Sequence, residues 1–298
     1  MLGDRLVLQT LLGDYPVTAA LRRGDIGSSS VELAFADVAR PAMAFKRVVR
    51  ELAFDVAELA IMTFLIAKAH DKPLVLLPAV VLSRFQHPYL VYNAARGALS
   101  PAALAGKRVG IRSYSVTTVA WLRGILDEDY GVEADRIRWV SFESPHVAEF
   151  RDPPNVEAAP AGATAIELLL AGEIDAAVLA DVELPDPRLR RLIPDPDLAA
   201  RAWHARHGAI QINHMVTVKA DLSASRPDVV REVFRLLAAS RARAPAGDAG
   251  GPDLHPYGYH ANRRNLEVAI AYAERQHLLP RRLAVDDLFD GVTRTLEP

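Results

Sequence analysis

The hydrophobic positions of the chain fall into short apolar runs and longer helical stripes that alternate from end to end. Apolar runs predict buried strands, and apolar residues at helical spacing predict helices. The strands are predicted at Leu6–Leu12, Val31–Phe35, Phe54–Ala60, Leu74–Leu82, Tyr89–Tyr92, Val109–Ile111, Arg138–Phe142, Asp175–Leu179 and Gln211–Lys219. The helices are predicted at Ala42–Leu52, Ile61–His70, Ala163–Leu170, Ala199–His207, Val229–Arg241, Asn262–Gln276 and, more briefly, Asp286–Thr293. Strands that alternate with helices indicate an α/β architecture.

The stretch Lys107–Tyr130 combines a strand, a polar turn and a helix. Ser115, Thr117 and Thr118 stand where the helix is predicted to begin, and their hydroxyls could cap its free N–H groups. A helix start that follows the carboxyl end of a strand also attracts anions, through exposed N–H donors and the helix dipole. The stretch therefore predicts either a simply capped helix or an anion-binding site.

Composition restricts the classes of function. A chain of 298 residues, 50% of them hydrophobic, suffices for one large domain or two lobes. A net charge of −2 points to neither nucleic acid nor an anionic membrane surface as partner. No apolar run is long enough to span a bilayer. The absence of cysteine excludes disulfides, thiolate metal sites and a cysteine nucleophile.

Two segments bear on location and mobility. Residues 1–16 carry Asp4 and Arg5 before a brief apolar run and contain no signal-peptide pattern, so we expect a cytoplasmic protein. The segment Ala244–Pro252 is rich in glycine and alanine and predicts a mobile surface loop.

Familiar cofactor and catalytic motifs are absent from the sequence. It contains no P-loop, no dinucleotide fingerprint and no GxSxG element. His204 and His207 lie three residues apart, but no third or fourth ligand accompanies them, so we predict no metal site.

Several segments, in order along the chain, carry a resemblance to a known family. They are GDY at Gly13–Tyr15, FDVAELA at Phe54–Ala60, SRFQHPYLVYN at Ser83–Asn93, LAGKRVGIRSYSVTTVAWLRGIL at Leu104–Leu126, LAGEIDAAV at Leu170–Val178, INHMVTVK at Ile212–Lys219, and PYGYHANRRNLE and LLPRRLAVDDLF near the end. In these segments the chain resembles the 4,5-dihydroxyphthalate decarboxylase family, within the type II periplasmic-binding-protein-like superfamily. AGKRVGI and AGEIDA occur throughout that superfamily, whereas RFQH and the C-terminal segments are more specific.

The resemblance implies a two-lobed α/β fold of the type II periplasmic-binding-protein kind with two hinge crossings. Lobe 1 would hold residues 1–91 and 212–298, and lobe 2 would be inserted as residues 92–211. We place the crossings near Tyr89–Asn93 and Ile212–Val218. Ligands often bind at domain interfaces, so a ligand is expected between the lobes.

The resemblance also suggests catalytic residues. His87 and His214 are candidates for proton transfer near neutral pH, and Glu58 for orienting one of them. Each has an ordinary alternative: His87 as a turn histidine before Pro88, His214 as a satisfied core histidine, and Glu58 as a turn or cap acid.

A second set of residues would bind the substrate. Arg84 offers a planar fork for a carboxylate, the start of the Lys107–Tyr130 helix offers N–H groups and hydroxyls, and Trp121 could stack on a ring or simply pack. The predicted substrate-binding residues are Asp14, Tyr15, Arg84, Ser113, Tyr114, Thr117, Thr118 and Trp121.

Two functions of different classes remain open. One is non-oxidative decarboxylation of a hydroxylated aromatic acid such as 4,5-dihydroxyphthalate, which needs no cofactor because a deprotonated phenol can supply the electrons. The other is binding or sensing of a small carboxylate without chemistry, since the fold is shared. In either case the partner is a small aromatic carboxylate, with a homo-oligomer left open.

One segment departs from the family pattern. Asp181 and Glu183 follow the strand Asp175–Leu179, where the family is expected to present a base to the ligand. An acid there would repel a second carboxylate in a dry site. We therefore hypothesise a ligand with one carboxylate, provided that Asp181 does not point to solvent.

Overall fold

The structure, a computed structural model, describes residues 5–245 and 250–298. Residues 1–4, in the N-terminal segment, and 246–249, in the predicted mobile loop, lie outside the described residues. The strands are β1 (Leu6–Leu11), β2 (Val31–Phe35), β3 (Val56–Ala60), β4 (Leu74–Ser83), β5 (Leu90–Asn93), β6 (Arg108–Ile111), β7 (Arg138–Ser141), β8 (Val156–Ala158), β9 (Ala176–Val178), β10 (Leu189–Arg191) and β11 (Ile212–Lys219). The helices are α1 (Ala19–Arg22), α2 (Phe45–Glu51), α3 (Ile61–Ala69), α4 (Thr117–Tyr130), α5 (Ala165–Ala171), α6 (Pro196–His207), α7 (Ala220–Ser225), α8 (Pro227–Arg241) and α9 (Tyr259–Arg275).

The chain divides into two compact units, each with its own sheet. The first unit comprises Met1–Arg84, Ile212–Ile270 and Leu279–Pro298, and the second comprises Phe85–Gln211 and Ala271–Leu278. The boundaries predicted from the sequence lay after residues 91 and 211. The structure's first boundary follows Arg84, and the segment Ala271–Leu278 groups with the second unit.

The first unit is built on a five-stranded sheet in the order β2-β1-β3-β11-β4. β1 runs parallel to β2 and β3, whereas β11 is antiparallel to β3 and β4. All five residues of β3 are buried, as in strands covered on both faces. Valines of α8 and residues such as Leu8, Leu77 and Val216 form one hydrophobic core. A carboxylate on β3, that of Glu58, is therefore held inside this unit.

The second unit is built on a six-stranded sheet in the order β10-β5-β9-β6-β7-β8. β6 is parallel to β7 and β9, and β5 is antiparallel to β9. Gly110 in β6 permits a close approach, because a Cβ there would lie 2.7 Å from Cδ1 of Ile174. α5 begins with a capping box in which Thr164 and Glu167 satisfy each other's backbone N–H groups. The carboxyl end of β6 leads directly into the start of α4.

Most predicted elements are confirmed, and one predicted helix is wrong. The helix predicted at Asp286–Thr293 is two 3-10 turns, because the Asp290 carboxylate accepts from the N–H groups of Val292 and Thr293 and favours a turn over a helix. The N-cap of α4 is Val116, which has no hydroxyl and makes no side-chain cap hydrogen bond.

Candidate functional site

A buried carboxylate in the first unit gathers three hydrogen-bond donors. The side chain of Glu58 is 0% exposed. Its Oε1 accepts from the Tyr15 hydroxyl at 2.7 Å and faces Nδ1 of His214 at 2.8 Å. Its Oε2 accepts from the backbone N–H of Gly13. We call these four residues the Glu58 cluster. A buried carboxylate requires hydrogen-bond partners, and here they are all supplied by neighbouring residues.

The sheet topology brings these residues together. β1 and β3 are parallel neighbours, so the turn that follows β1, Gly13–Tyr15, lies beside the carboxyl end of β3. β11 pairs with β3 on its other side, with Val216 opposite Glu58 and His214 opposite Ala60. His214 is therefore the diagonal neighbour of Glu58 on one sheet face. A Cβ at Gly13 would lie 2.5 Å from the Tyr15 ring, so glycine lets that ring fold back onto the carboxylate.

The protonation states in the cluster follow from burial and charge. Burial, followed by the negative charge of Glu58 and the hydrogen bond to it, raises the pKa of Tyr15 well above its usual range. The positive charges of Arg84 and Arg22 act on the same pKa in the opposite direction. Tyr15 is thus a neutral donor at physiological pH, and Arg84 is near enough to act on the cluster.

Glu58 fixes the orientation of the His214 ring through one of its two nitrogens. Nδ1 faces Glu58, and the ring meets that of Phe45 edge-on with centroids 5.1 Å apart. The His214 side chain is 14% exposed, whereas that of Glu58 is 0% exposed. A carboxylate at Nδ1 fixes the tautomer and leaves Nε2 to exchange a proton with a ligand.

His87, in the second unit, has a different environment. It begins a 3-10 turn, His87–Tyr89, and is 0% exposed. Within the described part of the chain neither ring nitrogen has a hydrogen-bond partner. Burial, and then the positive charge of Arg206, lowers the pKa of His87 to about 4. His87 is therefore a neutral, buried imidazole.

Acid is expected to destabilise the protein through His87. In the unfolded chain this histidine has a pKa near 6.5. Between that value and about 4 the unfolded state binds the extra proton, so stability is lost as the pH falls through this window. His87→Phe should remove about 2–3 kcal/mol of the drop in unfolding free energy between pH 7.5 and 4.5. Urea unfolding at both pH values measures it.

The matched control for this measurement is His260→Gln, at an exposed histidine of α9. It should leave the pH dependence unchanged. An equal pH dependence in His87→Phe and the parent protein would show that His87 is not held neutral.

The start of α4 presents buried hydroxyls. Ser113 and Ser115 are 1% and 2% exposed, and their Oγ atoms lack a partner among the described residues. Thr117 is the first helical residue and is buried, and Thr118 is partly buried. These hydroxyls lie at a helix start whose N-cap, Val116, makes no side-chain cap hydrogen bond, and they form a second polar site, suited to an anion.

The side chains of the remaining predicted site residues take part in neither group. Tyr114 packs its ring on the guanidinium of Arg123, 3.6 Å away. Trp121 is 0% exposed and lies against the rings of Trp203 and Tyr272, so it packs inside the second unit. Asp14 is exposed in the turn after β1.

Two contributors escaped the sequence-based prediction. The N–H of Gly13 donates to Glu58, and the GDY segment was the available signal for it. The edge-on contact of the Phe45 ring with His214 could not be predicted, because the sequence shows only an apolar residue at the start of α2.

The hypothesis about Asp181 does not hold. Asp181 and Glu183 are both exposed in the loop after β9. A solvated carboxylate exerts little of the repulsion that a dry site would impose. The departure in sequence therefore gives no reason to prefer a ligand with a single carboxylate.

Across 5–245 and 250–298, no group of three or more His, Asp or Glu side chains is arranged to hold a metal ion. No helix in those ranges is both long and apolar enough to cross a membrane.

Solved structures define the class of fold. The periplasmic aliphatic sulphonate-binding protein SsuA of Escherichia coli matches over 99% of this chain and 94% of its own, with a TM-score of 0.60 at 13% identity. The alkanesulfonate-binding protein SsuA of Xanthomonas axonopodis pv. citri, bound to MOPS, matches over 96% and 97%, with a TM-score of 0.55 at 13% identity. The chain therefore has the mixed α/β fold of periplasmic binding proteins. No protein-family model matches it.

Curated relatives point to a particular family within that fold. A 4,5-dihydroxyphthalate decarboxylase of Comamonas testosteroni is 28% identical over 96% of this chain and 97% of its own length. Another, of Pseudomonas putida, is 28% identical over 67% of this chain and 82% of its own. The predicted resemblance to 4,5-dihydroxyphthalate decarboxylases is confirmed.

Proposed function

We propose that the protein is a non-oxidative decarboxylase of a hydroxylated aromatic carboxylic acid, with 4,5-dihydroxyphthalate or a close analogue as substrate. The observation that carries the proposal is the pairing of His214 with the sealed carboxylate of Glu58. It occurs in a chain that aligns with 4,5-dihydroxyphthalate decarboxylases over most of its length.

The reaction needs proton transfers and no redox step. Loss of the proton from a hydroxyl para to the carboxylate sends electron density to the carbon that bears the carboxylate. That carbon accepts a proton, the ring becomes a cyclohexadienone, and the C–C bond to the carboxylate then breaks. Its electron pair restores the aromatic ring as CO2 leaves. Overall, the substrate carboxylate and one proton give CO2 and an aromatic ring that carries hydrogen in place of the carboxylate.

The Glu58 cluster suits the proton transfers. Nε2 of His214 would take the phenolic proton or deliver one to the ring carbon. Glu58 is a positioning residue that holds Nδ1 and stabilises the imidazolium. Tyr15, kept neutral, and the Gly13 N–H hold Glu58 in turn.

Other residues would bind the anionic groups of a ligand. The Arg84 guanidinium, which acts on the cluster, offers a fork that matches a carboxylate. In the second unit, Ser113, Ser115 and the first-turn N–H groups of α4 are a further candidate for an anionic group. His87 is the second acid–base candidate.

Ligand binding without chemistry is the second candidate function. It is favoured by the fold shared with the two sulphonate-binding proteins. Fold alone does not choose between the two functions.

Turnover of matched substrates separates the two functions. The protein is incubated with 4,5-dihydroxyphthalate, 3,4-dihydroxybenzoate and phthalate, and CO2 release is measured beside the thermal shift of the protein. CO2 from a hydroxylated acid and none from phthalate, which has no hydroxyl, supports the proposal. Thermal shifts without CO2 from any compound support binding alone. CO2 from phthalate at a similar rate would overturn the ring mechanism, and neither shift nor CO2 would overturn both functions.

A further inference from the structure

A buried hydroxyl stabilises the turn that follows β1. Thr18 is 0% exposed and stands at the end of this turn, directly before α1. Its Oγ1 accepts from the backbone N–H of Tyr15 at 2.9 Å and lies 2.7 Å from the backbone oxygen of Gly13. The backbone oxygen of Tyr15, 3.2 Å away, is a more distant acceptor. That oxygen already accepts from the N–H groups of Thr18 and Ala19, so we assign the single hydroxyl proton to Gly13.

The two residues that Thr18 holds are also two of the donors to Glu58. The N–H of Gly13 donates to Oε2, and the Tyr15 hydroxyl donates to Oε1 at 2.7 Å. Thr18 bonds to the carbonyl of the first residue and to the N–H of the second. The hydroxyl of Thr18 therefore fixes the backbone of both donors while making no contact of its own with the carboxylate.

The Glu58 carboxylate is sensitive to the conformation of this turn. Because Glu58 is 0% exposed, water does not readily replace a donor that moves away. The carboxylate oxygen that accepts from Tyr15 also faces Nδ1 of His214, so a displaced donor changes the position of the acceptor that orients the imidazole. A displacement of about 1 Å in a reacting group can lower a rate by about 10²-fold.

A second buried threonine of the same unit provides a matched comparison. Thr10, in β1, is also 0% exposed, and its Oγ1 donates to the backbone oxygen of Leu8 at 2.9 Å. That hydrogen bond lies within β1 and involves no member of the Glu58 cluster. Removal of either hydroxyl is expected to destabilise the fold, because each leaves a hydrogen bond unmade. Only the removal of the Thr18 hydroxyl is expected to change the surroundings of His214.

We propose that Thr18 is a positioning residue for the pair formed by Glu58 and His214, and that it acts through the peptide groups of Gly13 and Tyr15. No proton of the reaction passes through Thr18. Its hydroxyl keeps both donors in place, so that Oε1 of Glu58 meets Nδ1 of His214. For its effect on rate, this role rests on the proposed decarboxylation, whereas its effect on the geometry of the pair does not depend on any reaction.

The first test measures CO2 release from 4,5-dihydroxyphthalate per folded molecule, with the folded fraction taken from circular dichroism. Thr18→Val and Thr18→Ala remove the hydroxyl in two ways and should each lower kcat by about 10-fold with little change in KM. Thr18→Ser retains the hydroxyl and should keep kcat within about threefold of the parent value. Thr10→Val should lose stability but keep kcat within about twofold. A folded Thr18→Val protein with the kcat of Thr10→Val, or Thr18→Ser as slow as Thr18→Val, would overturn the proposal.

A second test needs no substrate and therefore separates the role of Thr18 from the proposed function. An imidazole Nδ1–H bonded to a carboxylate gives a proton resonance downfield of the backbone amides, and that of His214 is identified by its loss in His214→Gln.

We expect this resonance to move upfield in Thr18→Val and Thr18→Ala, and to keep its position in Thr18→Ser and Thr10→Val. An unmoved resonance in folded Thr18→Val, or no such resonance in the parent protein, would overturn the proposal. A resonance that moves as expected in a protein that releases no CO2 would support the role of Thr18 in holding the pair and overturn the decarboxylation.

Discussion

Replacing His214 by glutamine is expected to lower kcat for decarboxylation by about 10²- to 10⁴-fold, the usual contribution of a positioned acid or base. Glutamine keeps a polar side chain near Glu58 but cannot carry a proton to the ring. KM should change much less, because the carboxylate of the substrate is assigned to other residues. Steady-state rates of CO2 release from 4,5-dihydroxyphthalate measure both constants.

Glu58→Gln separates positioning from chemistry. The amide retains the size of the side chain but removes the charge that stabilises the His214 imidazolium. Therefore kcat should fall while KM changes little, whereas a merely structural role would lower the amount of folded protein and leave kcat per folded molecule unchanged. The control is His260→Gln, at an exposed histidine of α9, which should retain full activity. Unchanged kcat in His214→Gln would exclude this histidine as the proton carrier.

The sequence predicted the elements of the fold better than their contacts. The strand predicted at Val31–Phe35 is found with the same bounds, since a β-rich apolar run between polar segments is a local signal. β10 was missed because Leu189–Arg191 reads as a polar surface segment and becomes a strand only by pairing with β5. A strand that forms only because it pairs with the free edge of a sheet has no local sequence pattern that would predict it.

For the site, too, the sequence predicted individual residues but not the contacts between residues far apart in the chain. Glu58 and His214 could each be named from the resemblance, and Glu58 was predicted to orient one of two histidines. Which histidine it orients depends on the register of β11 against β3, across a separation of 156 residues. The neutral state of His87 was also beyond reach, because burial and the charge of Arg206 are properties of the packed chain.

The packing of the second unit is expected to depend strongly on one tryptophan. Trp203 of α6 is 0% exposed and stacks on His207 with centroids 4.4 Å apart. Its ring also meets that of Trp121 edge-on at 5.8 Å, and its Nε1 donates to the Tyr272 hydroxyl at 2.9 Å. Trp203→Ala leaves a cavity among these rings and removes a donor from the Tyr272 hydroxyl, so it should destabilise the second unit by about 3–5 kcal/mol.

Two further variants serve as comparisons for Trp203→Ala. Leu198→Ala lies on the same helix but is 59% exposed, so it should change stability by about 0.5 kcal/mol or less. Trp203→Phe retains an aromatic ring but loses the Nε1 donor, and should fall between the two. The midpoints of urea unfolding, followed by circular dichroism, rank the three variants. Equal midpoints for Trp203→Ala and Leu198→Ala would show that these buried rings do not hold α6 to the unit. A Phe variant as unstable as Ala would place the stabilisation in the hydrogen bond to Tyr272 rather than in the packing of the ring.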